Sequence, residues 1–322
     1  MTLLSRRDLV ISAAAASAAF GLKGRLAFIN PAEAQGTDLP RFARFKSGDI
    51  EVTQLYDGIW QKSHDPNFIK GVSVEETKQA LRDANLPDAQ VPITFTITVV
   101  RMGDKLAMFD SGTGGQMAPT AGLLMKESMQ AAGIDPKEIS TIVMTHFHPD
   151  HIFGLMEKGT NAQVFPDAEI VVPAGEYKYW TDEGLIASLP EARQGLAKRI
   201  QATFPKWKNV RQVEDGSDVL PGIRSVASNG HTPGHTSYLV SSGSDQLMVL
   251  GDVTNLPALF VRNPGWHAAF DQDPEMAEST RRKMFDRVVS DKISVTGYHY
   301  GMPGAGSIEK DGKGYAYNPV SA

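Results

Sequence analysis

The chain has 322 residues, of which 41% are hydrophobic and 21% are charged, a composition typical of a globular protein with a sizeable core. Its formal net charge of -5 gives no electrostatic reason to expect nucleic acid as a partner, because a phosphate backbone attracts basic surfaces. The absence of cysteine excludes disulfides, thiolate metal ligands and a cysteine nucleophile, so any metal would be bound by nitrogen and oxygen.

The N-terminal segment has the features of a bacterial export signal. Arg6-Arg7 precedes an apolar run over 9–22, and Ala32-Glu33-Ala34 offers a cleavage site before Gln35. The run is shorter than the roughly 20 residues that span a membrane, so no stable membrane anchor is expected. We therefore predict a Tat-type signal over 1–34 and a periplasmic or secreted protein. Mass analysis of the exported protein would check this cleavage, and an intact N-terminus would contradict it.

Strands and helices alternate through the rest of the chain. Alternating apolar residues predict the strands, and helical spacing with capping residues predicts the helices. In chain order the predictions are a strand at 50–56, a helix at 74–84, a hairpin at 92–101 and 106–109, a helix from 123 to Gly133, strands at 141–144 and 168–172, helices at 174–183 and 188–204, strands at 210–213, 223–227, 237–240 and 246–250, and a helix after Asp273. This order predicts a sheet-rich α/β domain.

Four potential metal ligands lie within the six residues from His146 to His151. His146 and His148 follow a predicted strand at i and i+2, so both side chains leave its end on one face and can share an ion. Asp150 and His151 follow a proline that ends the strand, and they can face a second ion. A polar loop could explain one histidine, but 3 of the chain's 8 histidines lie here beside a carboxylate. The segment therefore predicts a metal site.

Three potential metal ligands later in the chain have similar sequence surroundings. His231, Asp252 and His299 each follow a predicted strand and lie close to a glycine that permits close approach of the backbone. We expect them to converge with the first segment.

Together these motifs resemble the metallo-β-lactamase superfamily, whose members carry H-x-H-x-D-H followed by a distant histidine, an aspartate and a last histidine. The resemblance covers essentially the whole chain after the signal. It implies an α/β fold in which residues 35–322 form one catalytic domain, an αββα sandwich of two mixed β-sheets flanked by helices. It also implies two divalent metal ions, with Zn2+ as the first choice and Mn, Fe or Co as alternatives.

Family positions can be carried over to individual residues. By this resemblance His146, His148 and His231 would hold one ion, Asp150, His151 and His299 would hold the other, and Asp252 would bridge them. Asp110 and His235 match positions that support the ligands without binding metal. His64 and His267 are expected to be loop residues.

The chemistry implied by such a pair of ions is hydrolysis. Two ions that share a carboxylate can also share a water and lower its pKa toward about 7, so that a bridging hydroxide is available as the nucleophile at neutral pH. Asp150 and Asp252 are the predicted catalytic residues, since they can accept and return the proton.

Within the superfamily the chain looks most like the methyl parathion hydrolase and lactonase branch. The expected partner is a small, neutral, apolar substrate: a lactone, an aryl ester or a phosphotriester. Asn255 and Ile152-Phe153-Gly154 depart from the pattern of quorum-quenching lactonases, so the choice among these substrates stays open. The residues expected to line the pocket, each of which could instead be core, are Phe68, Phe153, Tyr177, Trp180, Leu256, Leu259, Phe260, Trp266 and Phe270.

Two alternatives within the superfamily remain. One is a glyoxalase II-like thioesterase, and the other is an iron-dependent redox protein, since imidazole and carboxylate also suit iron. A structural zinc module is disfavoured, because closed structural sites are usually four-coordinate and rich in cysteine. Whether the chain forms a homodimer is left open.

Overall fold

The computed structural model describes residues 40–320. The predicted signal and its cleavage site therefore lie outside the described residues. Within the described part of the chain, no helix is both long enough and apolar enough to cross a membrane.

The strands form two large sheets and one small one. They are β1 (Phe42–Ser47), β2 (Ile50–Lys62), β3 (Ile69–Lys70), β4 (Val91–Met102), β5 (Lys105–Phe109), β6 (Ile139–Val143), β7 (Glu169–Pro173), β8 (Val210–Val213), β9 (Asp218–Leu220), β10 (Ile223–Ala227), β11 (Thr236–Ser242), β12 (Asp245–Val249), β13 (His267–Ala268), β14 (Ser294–Thr296), β15 (Ala305–Asp311) and β16 (Gly314–Pro319).

The helices vary in length from a single turn to a long α-helix. They are α1 (Val74–Asp83), α2 (Met129–Ala132), α3 (Pro149–Ile152), α4 (Ala174–Thr181), α5 (Leu185–Ser188), α6 (Glu191–Thr203), α7 (Pro257–Phe260) and α8 (Pro274–Ser290). A π-helical turn at Leu124–Ser128 leads into α2, and 3-10 turns lie at Pro136–Glu138, Phe153–Leu155, Phe204–Lys206 and Gly251–Val253.

Both large sheets have seven strands and mixed direction, as the resemblance implied. The first sheet has the order β1-β2-β4-β5-β6-β7-β8, in which β5 to β8 are parallel and the others antiparallel. The second has the order β16-β15-β14-β12-β11-β10-β9, in which only the β12–β14 pair is parallel among its described neighbours. The predicted fold is confirmed.

Three apolar cores hold the four layers together. The inner faces of the two sheets meet in one core, in which Val143 and Phe109 of the first sheet join Tyr238 and Val249 of the second. A second core lies against the helices that cover the first sheet, and a third packs α8 on the second sheet through residues such as Phe285. Burial of these side chains is the main stabilising term for such a sandwich.

Capping residues explain where two helices begin. Ser73 and Glu76 form a reciprocal capping box at the start of α1, and Asp273 accepts a hydrogen bond from the Met276 N–H at the start of α8. The helix predicted at 188–204 is observed as α6, which begins after Pro190 because proline cannot continue the preceding helix. The short helix α5 before it was not predicted. The edge strands β1, β9 and β16 and the neighbouring β15 were not predicted, since they lack a clear apolar alternation.

Candidate metal centre

The predicted ligands gather where strands of both sheets end. His146 follows β6, and His231 follows β10. Asp252 and His299 follow β12 and β14, which pair in parallel, so these two donors leave the second sheet at the same edge. The sandwich therefore brings residues that are distant in sequence to one place.

Three histidines form one group of potential ligands. One ring nitrogen of each of His146, His148 and His231 lies within 4.8 Å of those of the other two. The Nδ1 atom of His148 and the Nε2 atom of His231 are 2.9 Å apart. Burial lowers the pKa of both His146 and His148 well below the usual range, so these rings are neutral and keep a free lone pair.

A second group joins Asp150, His151 and His299. Their ligand atoms also lie within 4.8 Å of one another. The Oδ2 atom of Asp150 is 3.4 Å from the Nε2 atom of His151 and 3.5 Å from that of His299. A carboxylate oxygen and two imidazole nitrogens thus face one point.

The Asp252 carboxylate lies between the two groups. Its Oδ2 atom is 3.3 Å from the Nε2 atom of His231 and 3.1 Å from that of His299, while its Oδ1 atom is 3.3 Å from the Nε2 atom of His151. Burial alone would raise the pKa of Asp252, but His299 and His151 together hold it well below its usual range. An ionised carboxylate therefore touches both groups.

The unpartnered atoms show what these residues fit. The Nε2 atoms of His146 and His151 and the Oδ1 atom of Asp252 are buried without a hydrogen bond, which is costly unless a cation binds them. Burial alone would lower the pKa of His151, but the surrounding carboxylates raise it well above its usual range, so positive charge is favoured here. A set of nitrogen and oxygen donors with a shared carboxylate fits two divalent ions.

Asp110 supports His151 directly and His146 through Thr145. Its Oδ2 atom lies 2.8 Å from the Nδ1 atom of His151 and accepts a hydrogen bond of 2.8 Å from the Thr145 hydroxyl. That hydroxyl is 3.0 Å from the Nδ1 atom of His146. Because the hydroxyl donates to Asp110, it accepts from His146, which places that proton on Nδ1 and leaves Nε2 free for a metal.

The loop beginning at Asp110 packs closely against the 3-10 turn that follows α3. The Gly154 N–H donates to the Gly112 carbonyl at 2.9 Å. A Cβ atom at Gly154 would lie 1.8 Å from the Ser111 carbonyl oxygen, so only glycine allows this contact. The departure from the lactonase pattern at 152–154 thus keeps the one glycine that this packing requires.

His235 lies beside the ligands with both ring nitrogens engaged. Its Nε2 atom accepts a hydrogen bond of 2.9 Å from the Asp252 backbone N–H, and its Nδ1 atom lies 3.1 Å from the Ser228 carbonyl oxygen. The proton therefore resides on Nδ1, and Nε2 has no free lone pair for a metal. This residue holds the backbone of Asp252.

We expect His235→Ala to retain two ions per chain but to weaken their binding about 10–100-fold, the usual cost of losing a residue that orients a ligand. Metal content after gel filtration and chelator competition would measure the two quantities. His64→Ala is the matched control, because His64 bonds only to the Asp88 carbonyl among the contacts described for it. A drop to one ion per chain would contradict the supporting role.

Several residues that contact the predicted ligands were not predicted from the sequence. Asp271 Oδ1 lies 2.8 Å from the Nδ1 atom of His231, and the Thr94 carbonyl lies 2.7 Å from the Nδ1 atom of His299. The Tyr298 hydroxyl donates to the Asp150 carbonyl at 2.6 Å, and its ring stacks on His151. These contacts join distant segments and follow no motif.

A buried arginine extends this network. Arg281 donates to Asp271 at 3.3 Å and to the backbone carbonyls of Val253, Pro264 and Trp266 at 2.8 to 3.0 Å. It therefore connects Asp271, whose carboxylate orients His231, to the segment that follows Asp252. One signal could have revealed it, because Arg281 occupies the apolar stripe of α8 where the helical spacing predicts a core residue.

The predicted pocket residues fall into two sets. Phe153, Tyr177, Trp266 and Phe270 are partly exposed, and Trp60 joins them at 6.3 Å from the Phe270 ring. The other five are buried in the core: Phe68, Trp180, Leu256, Leu259 and Phe260. Among them, the Trp180 ring packs edge-on against His148.

Leu259 and Phe260 have no exposed surface, because α7 packs both into the core, so neither reaches a substrate in this structure. The remaining pocket residues stay a prediction. A surface groove of about 830 Å3 beside α8 is lined by residues such as Met276 and Lys283 and includes none of the predicted ligands or pocket residues. His267 lies in β13 and bonds to Glu278.

Comparisons with known proteins agree with this centre. Residues 96–291 match the family model described as the metallo-beta-lactamase superfamily. The probable metallo-hydrolase YflN of Bacillus subtilis is 28% identical over 171 residues, which cover 51% of this chain and 61% of that protein. The N-acyl homoserine lactonase AttM of Azorhizobium caulinodans is 26% identical over 181 residues, which cover 50% and 64%. The match thus spans somewhat less than two thirds of these curated relatives.

Two solved structures are similar over nearly their whole length. AidC, a dizinc quorum-quenching lactonase in complex with the product N-hexnoyl-L-homoserine, has a TM-score of 0.79 and 27% identity, covering 88% of this chain and 99% of that one. The hydrolase AbOPH in the beta lactamase superfamily has a TM-score of 0.81 and 26% identity with the same coverage. Since the family model spans more than half of the sequence, the chain belongs to the metallo-beta-lactamase superfamily, as its motifs predicted.

Proposed function

We propose that this protein is a dinuclear metal-dependent hydrolase of neutral, apolar lactones, aryl esters or phosphotriesters. The observation that carries the proposal is the position of Asp252. Its Oδ2 atom lies 3.3 Å from His231 of one group and 3.1 Å from His299 of the other, while its Oδ1 atom lies 3.3 Å from His151. A closed structural site would have no use for a carboxylate shared in this way.

The two groups support one assignment of the ligands. His146, His148 and His231 would hold one ion, Asp150, His151 and His299 the other, and Asp252 would contribute to both. When bound, two divalent ions lower the pKa of water and polarise a carbonyl or phosphoryl oxygen. Zinc suits these donors, and the similar lactonase AidC is described as dizinc. Manganese, iron and cobalt remain alternatives.

The residues of the chain supply position and a proton acceptor. Tyr298 holds the backbone of Asp150 through its hydroxyl, which leaves the Asp150 carboxylate free to face the ligands. That side chain is 16% exposed, against 5% for Asp252, so it is the carboxylate that a substrate can reach more readily. Asp150 Oδ2 is therefore the better placed proton acceptor, and Asp252 serves mainly to fix the two groups relative to each other.

The surroundings support a neutral substrate. Aromatic side chains such as Trp266 and Phe270 are partly exposed in the segment that leads to Asp271, the partner of His231, and such side chains suit apolar groups. Arg262, a cation in this segment, is paired with Asp311, and Lys62 lies over the Trp60 ring. Relatives described as N-acyl homoserine lactonases act on a neutral lactone of this kind.

A panel of substrates tests the proposal. The metal-loaded protein is expected to hydrolyse an N-acyl lactone, an aryl ester or a phosphotriester with a kcat/KM at least about tenfold above that for a glutathione thioester. The physical reason is that the thioester carries carboxylates, which need unpaired cations. The metal-free protein is the control. A preference of about tenfold for the thioester would overturn the substrate class and leave the dinuclear hydrolase standing.

One contact favours the thioesterase alternative. The Arg199 guanidinium is partly exposed and lies 4.3 Å from the centre of the Phe153 ring, and among its described contacts it bonds to the Asn161 side-chain oxygen and to no carboxylate. A substrate carboxylate could bind there. If the panel shows thioester hydrolysis, Arg199→Met should raise the KM for the thioester and leave the KM for the lactone unchanged.

A further inference from the structure

Glu176 is a fully buried carboxylate that the mechanism above does not use. It lies in α4 and has no exposed surface. Its Oε1 atom accepts hydrogen bonds from the Phe147 N–H at 2.9 Å and from the Trp180 indole at 2.7 Å. Its Oε2 atom accepts from the Thr232 hydroxyl at 2.7 Å and from the Gly234 N–H at 3.0 Å. Four neutral donors thus satisfy one carboxylate.

Three of these donors come from the two segments that carry the three-histidine group, and the fourth, Trp180, lies in α4 itself. Phe147 lies between His146 and His148, and Thr232 directly follows His231. In sequence the two segments are separated by more than 80 residues, as the His148–His231 contact shows. The Glu176 carboxylate is therefore a clamp that fixes the spacing of these histidines.

Close packing makes the clamp rigid. A Cβ atom at Gly234 would lie 2.0 Å from the Glu176 backbone nitrogen, so the histidine loop reaches α4 only because this residue is glycine. The indole of Trp180, held by the same carboxylate, packs edge-on against the His148 ring at 6.4 Å between centroids. The position of His148 is thus set from two directions.

The other group of ligands is supported by residues other than Glu176. His151 is oriented by Asp110, and His299 by the Thr94 carbonyl. The Tyr298 hydroxyl holds the Asp150 backbone. None of the hydrogen bonds described for Glu176 involves these residues.

We propose that Glu176 is a positioning residue that sets the metal affinity of the three-histidine site and leaves that of the Asp150, His151 and His299 site unchanged. The proposal rests on the dinuclear centre of the proposed function. Glutamine has nearly the shape of glutamate, but its amide group would point N–H donors at two of the existing donors. Glu176→Gln should therefore loosen the clamp while keeping the side-chain volume.

The test measures one site at a time. In a His299→Ala background, which weakens the second site, Glu176→Gln is expected to lower the affinity for Zn2+ about 10–100-fold, as measured by competition with a chromophoric chelator. In a His148→Ala background, which weakens the first site, the same change is expected to leave the Zn2+ affinity within about twofold. Absorption spectra of the Co2+-loaded proteins give a second readout of the altered histidine site.

Controls separate positioning from folding. Circular dichroism must show a native spectrum for each variant, and Thr232→Val, which removes one donor, replaces Glu176→Gln if the latter does not fold. Glu278→Gln changes a partly exposed glutamate that bonds to His267 and Arg282, and should affect neither site.

Two results would overturn the proposal: an unchanged affinity in the His299→Ala background, or equal losses in both backgrounds. A wild-type protein that binds two ions and hydrolyses its substrates would then still support the proposed function. Failure of the wild type to bind two ions would instead overturn the dinuclear centre itself.

Discussion

Asp252→Ala is expected to lower the metal content from two ions per chain to one or fewer and to reduce kcat/KM by more than about 100-fold. Loss of a residue that merely orients a ligand typically costs about 10–100-fold, and Asp252 faces His231, His299 and His151 directly. Removing one shared carboxylate therefore disturbs both groups of ligands. Elemental analysis after exhaustive gel filtration measures the metal content.

The fold should survive this change. Asp252 contributes to the centre and not to an apolar core, and its loss removes a negative charge that repels the Asp150 carboxylate. Asp218→Ala is the matched control, because Asp218 is an exposed aspartate that pairs only loosely with Arg224 at 3.7 Å. Full activity with one ion per wild-type chain, or two retained ions in Asp252→Ala, would contradict the bridging assignment.

The second large effect concerns stability. Arg281→Met is expected to lower the free energy of unfolding by about 3–5 kcal/mol, since it leaves the Asp271 carboxylate buried without its cation. Both side chains are only 2% exposed, so solvent cannot replace the lost partner. Urea unfolding followed by circular dichroism measures the change. Arg282→Met is the matched control, because it removes the ion-pair partner of Glu278 in a pair whose side chains are both partly exposed. It should lower the free energy of unfolding by no more than about 1 kcal/mol.

A double variant shows how much of this loss is the unpaired charge. Adding Asp271→Asn to Arg281→Met removes the buried charge and should restore part of the stability. Recovery should be incomplete, because the carbonyls of Val253, Pro264 and Trp266 still lack their donor. If the stability loss of the double variant equals the sum of the losses in Arg281→Met and Asp271→Asn, then Asp271 and Arg281 do not act as a pair.

The sequence by itself determined the family, the order of the main elements and the candidate ligands that the structure brings together. His146, His148, Asp150 and His151 could be recognised because metal chemistry imposes their spacing over a few residues. The cap at Asp273 and the end of a helix at Gly133 were equally local, since one residue's side chain or backbone freedom decides each.

Only the tertiary structure decided what surrounds those ligands. Glu176, Asp271 and Arg281 act through contacts between segments that lie far apart in the chain or that carry no motif. From the sequence alone, each of these residues looks like an ordinary helix or loop residue. The same holds for the pocket. Whether an aromatic residue such as Phe260 or Trp266 is core or wall depends on which face of its segment the fold covers, and residue type carries no information about that.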